Sequence, residues 1–241
     1  MNEEPKLKQV PKAALLPEAV YQQLRTAILS GVFRPGQALR QEDVAAQLGV
    51  SRGPLREALP KLEAEGMIVS LPHRGYTVVS LAPEEIAEIF ELRAMLEASL
   101  AGSAAKTRDE QTLQKLRELD AAMRALTSAT EPAARLPWFD LNYEFHTTLL
   151  ACAGRKHHLR ILELVRARAE PYVRMETNLT GNLDEAHAEH GGLLEAFAAG
   201  DAERLAWLTR VHVQHTAARL LEALRARPGD LPVRPSERQI A

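Results

Sequence analysis

The chain has 241 residues, 46% of them hydrophobic and 26% charged, with a net charge of −2 and a single cysteine. This balance is ordinary for a globular protein and rules out an intramolecular disulfide framework; no apolar run approaches the roughly 18 residues of a membrane span. Residues 1–80 carry ten Lys/Arg against eight Asp/Glu and residues 81–241 twenty against twenty-four, which permits a nucleic-acid face in the first third without establishing one.

The first twenty residues, "MNEEPKLKQVPKAALLPEAV", lack the long apolar core of a signal peptide, so the expectation is a cytoplasmic protein with no membrane partner. Residues 1–16 read as a flexible arm. In "PEAVYQQLRTAILS", Val20, Leu24, Ala27 and Ile28 share one helical face; Pro17 suits the start and Gly31 the end. "VFRPGQAL" reads as a turn on Pro35-Gly36. "QEDVAAQLG" is a second short helix, with Val44, Ala45 and Leu48 inward. Ser51 is placed to cap a third helix, whose buried stripe is Leu55, Ala58, Leu59 and Leu62. "MIVS" and "YTVVS", separated by "LPHRG", read as a hairpin. After Pro83 only helical patterns follow, over about 83–106, 109–127, 136–153, 156–175, 184–199 and 201–226, punctuated by Gly102, Gly154 and Gly200. The predicted fold is mainly α: a winged helix-turn-helix of three helices plus a β-hairpin at 17–80, an all-helical bundle at 81–226, and a loose tail at 227–241.

The third predicted helix carries the first chemistry. At 100° per residue, Arg52, Gly53, Arg56 and Pro60 fall within about one quadrant, to the side of the leucine stripe. Two preceding short helices and a tight "LGVS" turn are what a helix-turn-helix requires, and its second helix presents its N-terminal end to the major groove. Arginine there can grip guanine O6 and N7 with two hydrogen bonds. Gly53 would let the backbone approach phosphate. The hairpin tip His73-Arg74-Gly75 would be a wing. The same arginines could instead be solvated and pair with Glu57 or Glu63. The coincidence of cap, turn, hairpin and arginine placement favours DNA. Pro60 removes the bond to the Arg56 carbonyl and is expected to kink the helix.

The stretch "LRQEDVAAQLGVSRGPLREALPKLEAEGMIVSLPHRGYTVV" resembles the winged helix of the GntR family of bacterial transcription regulators over about residues 18–80. The resemblance implies DNA contacts at Ser51, Arg52, Gly53, Arg56, Arg74 and Gly75, and Pro60 stands where the family carries a helix former.

Histidines carry the second chemistry. In "DLNYEFHTTLLACAG", Asn142 and His146 share a face with Phe145, Leu149 and Ala153, while Asp140 projects nearly opposite. His190 lies on the face of Leu194 and Phe197, with His187 at its edge. His212 lies on a mixed stripe with Leu205, Leu208, His215 and Arg219. Three helices that each direct one imidazole inward offer a site for zinc or nickel with an open position for a small molecule. His157 and His158 read as exposed, and Trp138 and Trp207 as core.

Residues 83–224 resemble the FCD-type effector domain of the FadR subgroup of GntR regulators, an all-helical bundle that is commonly dimeric. The resemblance implies a divalent metal held by an Asp and three His, with a carboxylate effector at the metal. The family's Asp-x-x-x-His appears here as Asn142-Tyr-Glu-Phe-His146, its later Glu-His pair as Glu189-His190, and its last histidine as His212. Arg93 matches a position that often faces the effector pocket; read by itself, it is an exposed arginine pairing with Glu97.

The expectation is therefore a homodimeric, ligand-responsive DNA-binding regulator of palindromic operator DNA, not an enzyme. Its effector would be a small carboxylate bound at a divalent transition metal, zinc or nickel. Two alternatives stand beside it. One is a metal-dependent hydrolase fused to a DNA-binding module, with Glu189 as the candidate base. The other is a metal-free regulator whose histidines bind the effector directly.

Overall fold

A computed structural model of the protein describes residues 16–29, 31–71, 75–127, 136–180 and 183–226. The expected arm (apart from Leu16), the tail and the wing-tip residues His73 and Arg74 lie outside the described residues. The chain forms two compact units, one ending at Glu85 and the other running Ile86–Ala226.

In the first unit, α1 (Leu16–Leu29) packs against α3 (Arg52–Ala64), with α2 (Gln41–Leu48) between them in sequence. Its core is Leu24, Leu48, Leu55 and Leu62, all fully buried, together with Val20, Ile28, Phe33 and Met67. Each such aliphatic side chain contributes about 2 kcal/mol relative to exposure. Both α2 and α3 end in Schellman motifs. At α2, Gly49 takes φ 67°, its N–H bonds the Ala46 carbonyl at 3.2 Å and Val50 N–H bonds the Ala45 carbonyl at 3.0 Å. A residue with a Cβ is disfavoured at this φ, so Gly49 sets the sharp turn that aims α3.

The sheet is richer than a hairpin. β2 (Ile68–Leu71) and β3 (Gly75–Val78) pair antiparallel as expected, and β1 (Ala38–Leu39) adds a third strand on the other side of β3. The Pro35-Gly36 turn carries the chain there. Gly36 N–H bonds the Val78 carbonyl at 3.0 Å, and Val78 N–H bonds the Gln37 carbonyl at 2.9 Å. Two residues are too few to show a period of two, so this strand has no sequence signature.

In the second unit, α4 (Pro83–Lys106), α5 (Glu110–Arg124), α6 (Leu136–Ala151), α7 (Lys156–Thr180), α8 (Leu183–Ala199) and α9 (Ala202–Ala226) surround one core that includes Leu100, Phe139, Phe145, Phe197 and Leu205. Gly102 does not end a helix. It lies inside α4, where a Cβ would meet the Ala202 carbonyl at 3.3 Å and Ala206 at 3.4 Å, so its smallness sets how closely α4 and α9 approach. α7 runs through Pro171 to Thr180, beyond the expected end near 175. Trp138 is buried, but Trp207 is 61% exposed and is not a core residue. No described helix is long and apolar enough to cross a membrane.

Candidate functional site

Ser51 occupies the N-cap of α3 in an extended conformation, but its hydroxyl makes no cap bond, contrary to expectation. α3 is assigned as one helix from Arg52 to Ala64 with Pro60 inside it and exposed, so the proline does not end the helix. Leu55, Ala58, Leu59 and Leu62 are buried, while Arg52 and Arg56 are exposed. Arg52 pairs across the turn with Glu42 of α2, not with Glu57 or Glu63. An ion pair so open to water is worth little and yields readily to a phosphate or a base. A Cβ on Gly53 would meet only the Ser51 Oγ, at 3.8 Å. The fold therefore does not require glycine there. Gly75 is different: its φ of 78° at the start of β3 demands glycine for the backbone alone.

In the second unit, the three candidate imidazoles meet. His146 of α6, His190 of α8 and His212 of α9 have ring centroids 5.0, 4.9 and 5.1 Å apart. Their ligating nitrogens all lie within 4.8 Å of one another. Helical spacing puts each one on the inner face of its helix. His146 and His190 are buried among Phe145 and Trp138; the Trp138 ring stacks on His190 at 6.2 Å, and Phe145 lies 5.1 Å from it. His146 Nε2 and His190 Nε2 are 3.1 Å apart. Two nitrogens each about 2.1 Å from one ion and at right angles would be roughly 3 Å apart, so this separation fits two adjacent ligands of a shared metal.

The charge state fits as well. Burial drives the His146 imidazole well below its ordinary pKa, and nearby His212, His190, Arg166 and Arg93 add to this. Burial does the same to His190, helped by His212 and His187. Both rings are therefore neutral, the form that ligates metal. His190 Nδ1 is buried with no hydrogen-bond partner among the described residues. For His212 the ring is oriented by a carboxylate: Glu189 Oε2 lies 2.6 Å from Nδ1. With Nδ1–H donating to Glu189, the Nε2 lone pair is free. Glu189 Oε1 accepts from His215 Nδ1 at 2.7 Å, and the Arg219 guanidinium lies 3.6 Å away. Burial pushes the Glu189 carboxyl up, but these partners outweigh it and hold the group below its ordinary value.

Asn142 is buried on α6, one turn before His146. Asp140 is exposed and accepts from Arg174 Nη2 at 3.0 Å, so it stands apart from the imidazoles, as does Glu144, which is exposed one turn on and pairs with Lys115. His187 is half-buried, 3.5 Å from Asp120. His157 is exposed and His158 partly so. Arg93 pairs with Glu97, Nε to Oε1 at 2.9 Å, but it is not on the surface: Arg93 is 7% exposed and Glu97 0%. Arg166 of α7 is also buried, with its guanidinium 4.5 Å from the Tyr143 ring and Nη1 donating to Thr147 Oγ1 at 3.1 Å.

Sequence reasoning missed Arg166, the burial of Glu97 and the orienting role of Glu189. The i,i+4 spacing of Arg93 and Glu97 and the adjacency of Glu189 to His190 were available signals. "LVRARAE" offers none for Arg166, because on sequence it is one more arginine of an amphipathic helix. Glu189, the base required by a hydrolase, is committed to His212 and His215.

Comparison with known proteins agrees with this architecture. A family model described as "Bacterial regulatory proteins, gntR family" matches residues 16–78, and one described as "FCD domain" matches residues 88–215. The HTH-type transcriptional repressor GlaR of Escherichia coli is 30% identical over 208 residues, covering 80% of this chain and 90% of that protein. The Nta operon transcriptional regulator of Aminobacter aminovorans is 27% identical over 205 residues, covering 85% and 94%. The solved structure of E. coli McbR/YncC shares the fold with a TM-score of 0.75 at 23% identity, covering 87% of this chain and 98% of that one. The winged-helix unit followed by a helical unit with clustered imidazoles, and matches that together span nearly all the described residues, place the chain in the GntR family of DNA-binding transcription regulators, with an FCD domain as its effector-binding part.

Proposed function

We propose that this regulator binds a palindromic operator as a homodimer and is controlled by a small carboxylate bound at a metal in the helical unit. Residues 17–80 would read DNA and residues 81–226 would bind effector and dimerise. Arg52 and Arg56 contact base edges in the major groove. Gly53 lets the backbone approach phosphate, Ser51 and Gly75 contact the DNA beside it, and Arg74 reaches from the wing. His146, His190 and His212, with Asn142, hold a divalent transition metal, zinc or nickel, which supplies a Lewis-acidic attachment point for a carboxylate. Arg93 adds positive charge beside it. Nitrogen donors favour these ions over calcium or magnesium. The effector acts by favouring one of two dimer geometries, only one of which places both reading helices in successive major grooves.

The observation that carries this reading is the set of three inward imidazoles from three helices, two of them held neutral by burial and the third oriented by Glu189. It is tested by selecting duplexes from random DNA with the full-length protein. The expected product is an inverted repeat with half-sites about one helical turn apart, released when zinc and an effective carboxylate are added together. A non-repeated site would contradict the dimer. Release by the carboxylate alone, unchanged after chelation, would favour the metal-free alternative.

A further inference from the structure

Around the three imidazoles the described residues leave several buried polar atoms without partners. Glu97 is fully buried. Its Oε1 accepts from Arg93 Nε, but its Oε2 has no partner among the described residues. Arg166, buried on α7, uses Nη1 on Thr147, yet its Nε is also without a partner. Both belong to the surroundings of the histidines: Arg93, Arg166 and His212 act on the Glu97 carboxylate, and Arg93 and Arg166 act on His146. Buried polar atoms are nearly always paired, by protein, water or ligand. A lone acceptor and a lone donor beside a carboxylate-binding site therefore describe the complement of something that carries both.

We infer that the effector is not a simple carboxylate but an acid that also bears a hydrogen-bond donor, a hydroxyl or an ammonium group, which donates to Glu97 Oε2 while Arg166 Nε donates to an acidic oxygen. This inference rests on the metal-and-carboxylate reading proposed above and narrows its ligand class. The sign of the charges supports it. Arg93, Arg166 and Arg219 outnumber the carboxylates of Glu97 and Glu189 around the imidazoles, so the site has an excess of positive charge for the acid group, and Glu97 Oε2 is left for a donor. A deoxy acid of the same shape would leave Glu97 Oε2 buried and unpaired, which is the situation that gives polar sites their strongest discrimination. Arg166 and Glu97 act as specificity-determining residues; the imidazoles provide attachment.

The test is calorimetric titration of the full-length, zinc-loaded protein with matched acids: propionate, lactate and alanine; succinate, malate and aspartate. In the size class that fits, the hydroxy or amino acid should bind at least about tenfold more tightly than its deoxy partner. A preference for the amino acid identifies an ammonium donor, and a preference for the hydroxy acid identifies a hydroxyl. Glu97→Gln keeps an oxygen for Arg93 but turns an amide donor toward the ligand, so an ammonium, which cannot accept, loses its partner and a preference for the amino acid should collapse, whereas a hydroxyl can turn to accept from the amide. Far-ultraviolet circular dichroism and zinc stoichiometry check that the variant is folded; the wild-type comparison stands without it. Equal affinity for deoxy and donor-bearing acids would overturn the inference and leave the carboxylate reading intact. So would a preference for the amino acid that survives Glu97→Gln, since the ammonium would then be recognised elsewhere. Failure of every acid to bind would overturn both.

Discussion

Glu189 Oε2 lies 2.6 Å from Nδ1 of His212, and the same carboxylate takes a second hydrogen bond from His215 at 2.7 Å. This fixes the His212 ring with Nε2 toward His146 and His190, and makes a carboxylate that touches no ligand part of the site. Outer partners of this kind typically alter metal affinity 10–100-fold. Glu189→Gln is therefore expected to weaken zinc binding by about one to two orders of magnitude, and His215→Ala by much less. Competition against a chelating dye measures both. Equal zinc affinity in Glu189→Gln and wild type would remove the orienting role.

Acid should destabilise the metal-free helical unit. His146 and His190 have folded pKa values well below the ordinary 6.5, chiefly through burial. The unfolded chain therefore binds more protons than the folded one once pH falls below about 6.5, and stability falls with it. Above that value the contribution is complete. Urea unfolding of the metal-free protein at pH 7.5, 6.5 and 5.5 is expected to give similar midpoints at the first two and a lower one at the third. Added zinc should raise the midpoint at pH 7.5 and lose its effect toward pH 5.5, because protons and metal compete for the same nitrogens. A midpoint insensitive to pH from 7.5 to 5 would contradict the neutral buried pair.

Pro60 is exposed within α3, so replacing it removes no packing and restores an N–H for the Arg56 carbonyl. Pro60→Ala or Pro60→Arg should stabilise the winged-helix unit by about 1–3 kcal/mol. A fall in the thermal midpoint would show that the proline is required.

Arg52 and Arg56 should behave differently from the lysines near the N-terminus. Arg52→Ala or Arg56→Ala should cost about 1–3 kcal/mol on the selected operator and relax preference at one base pair per half-site. Lys6→Ala or Lys8→Ala should weaken binding evenly across sequences and flatten its salt dependence. Equal losses on operator and random DNA for Arg52→Ala would exclude it from base readout.

The elements that follow from periodicity and end signals were legible in the sequence: the stripe Leu55, Ala58, Leu59 and Leu62, the glycine stop at 31, and the six later helices. The inward direction of His146, His190 and His212 was legible for the same reason, since helical phase alone sets it. Their convergence was not, because it depends on how α6, α8 and α9 pack. What helical phase hid was whatever depends on a neighbour. β1 exists only because β3 offers it an edge. Gly102 is small because α9 crosses α4 there. Arg93 and Glu97 look like a surface pair because i,i+4 spacing is the same on either face of a helix, and only the packing of the unit buries them. Trp207 failed in the opposite sense: its size suggested core, and its phase on α9 turns it outward.

Metal and carboxylate are expected to occupy one site and to reinforce each other. Asn142 is neutral where the family carries an aspartate, so a metal here has one fewer negative ligand and gains more from a carboxylate. Calorimetric titration of zinc into the full-length protein, with and without the carboxylate that binds best, tests this directly. The expected result is one zinc per chain, held by His146, His190 and His212 and tightened by the acid by the same factor by which zinc tightens the acid, as linkage requires. Asn142→Asp should then raise zinc affinity without the acid and reduce that factor, while Asp140→Ala leaves both unchanged. If the wild-type protein binds neither zinc nor nickel at micromolar concentration, with or without the acid, the metal is absent from the mechanism and the histidines bind the effector themselves.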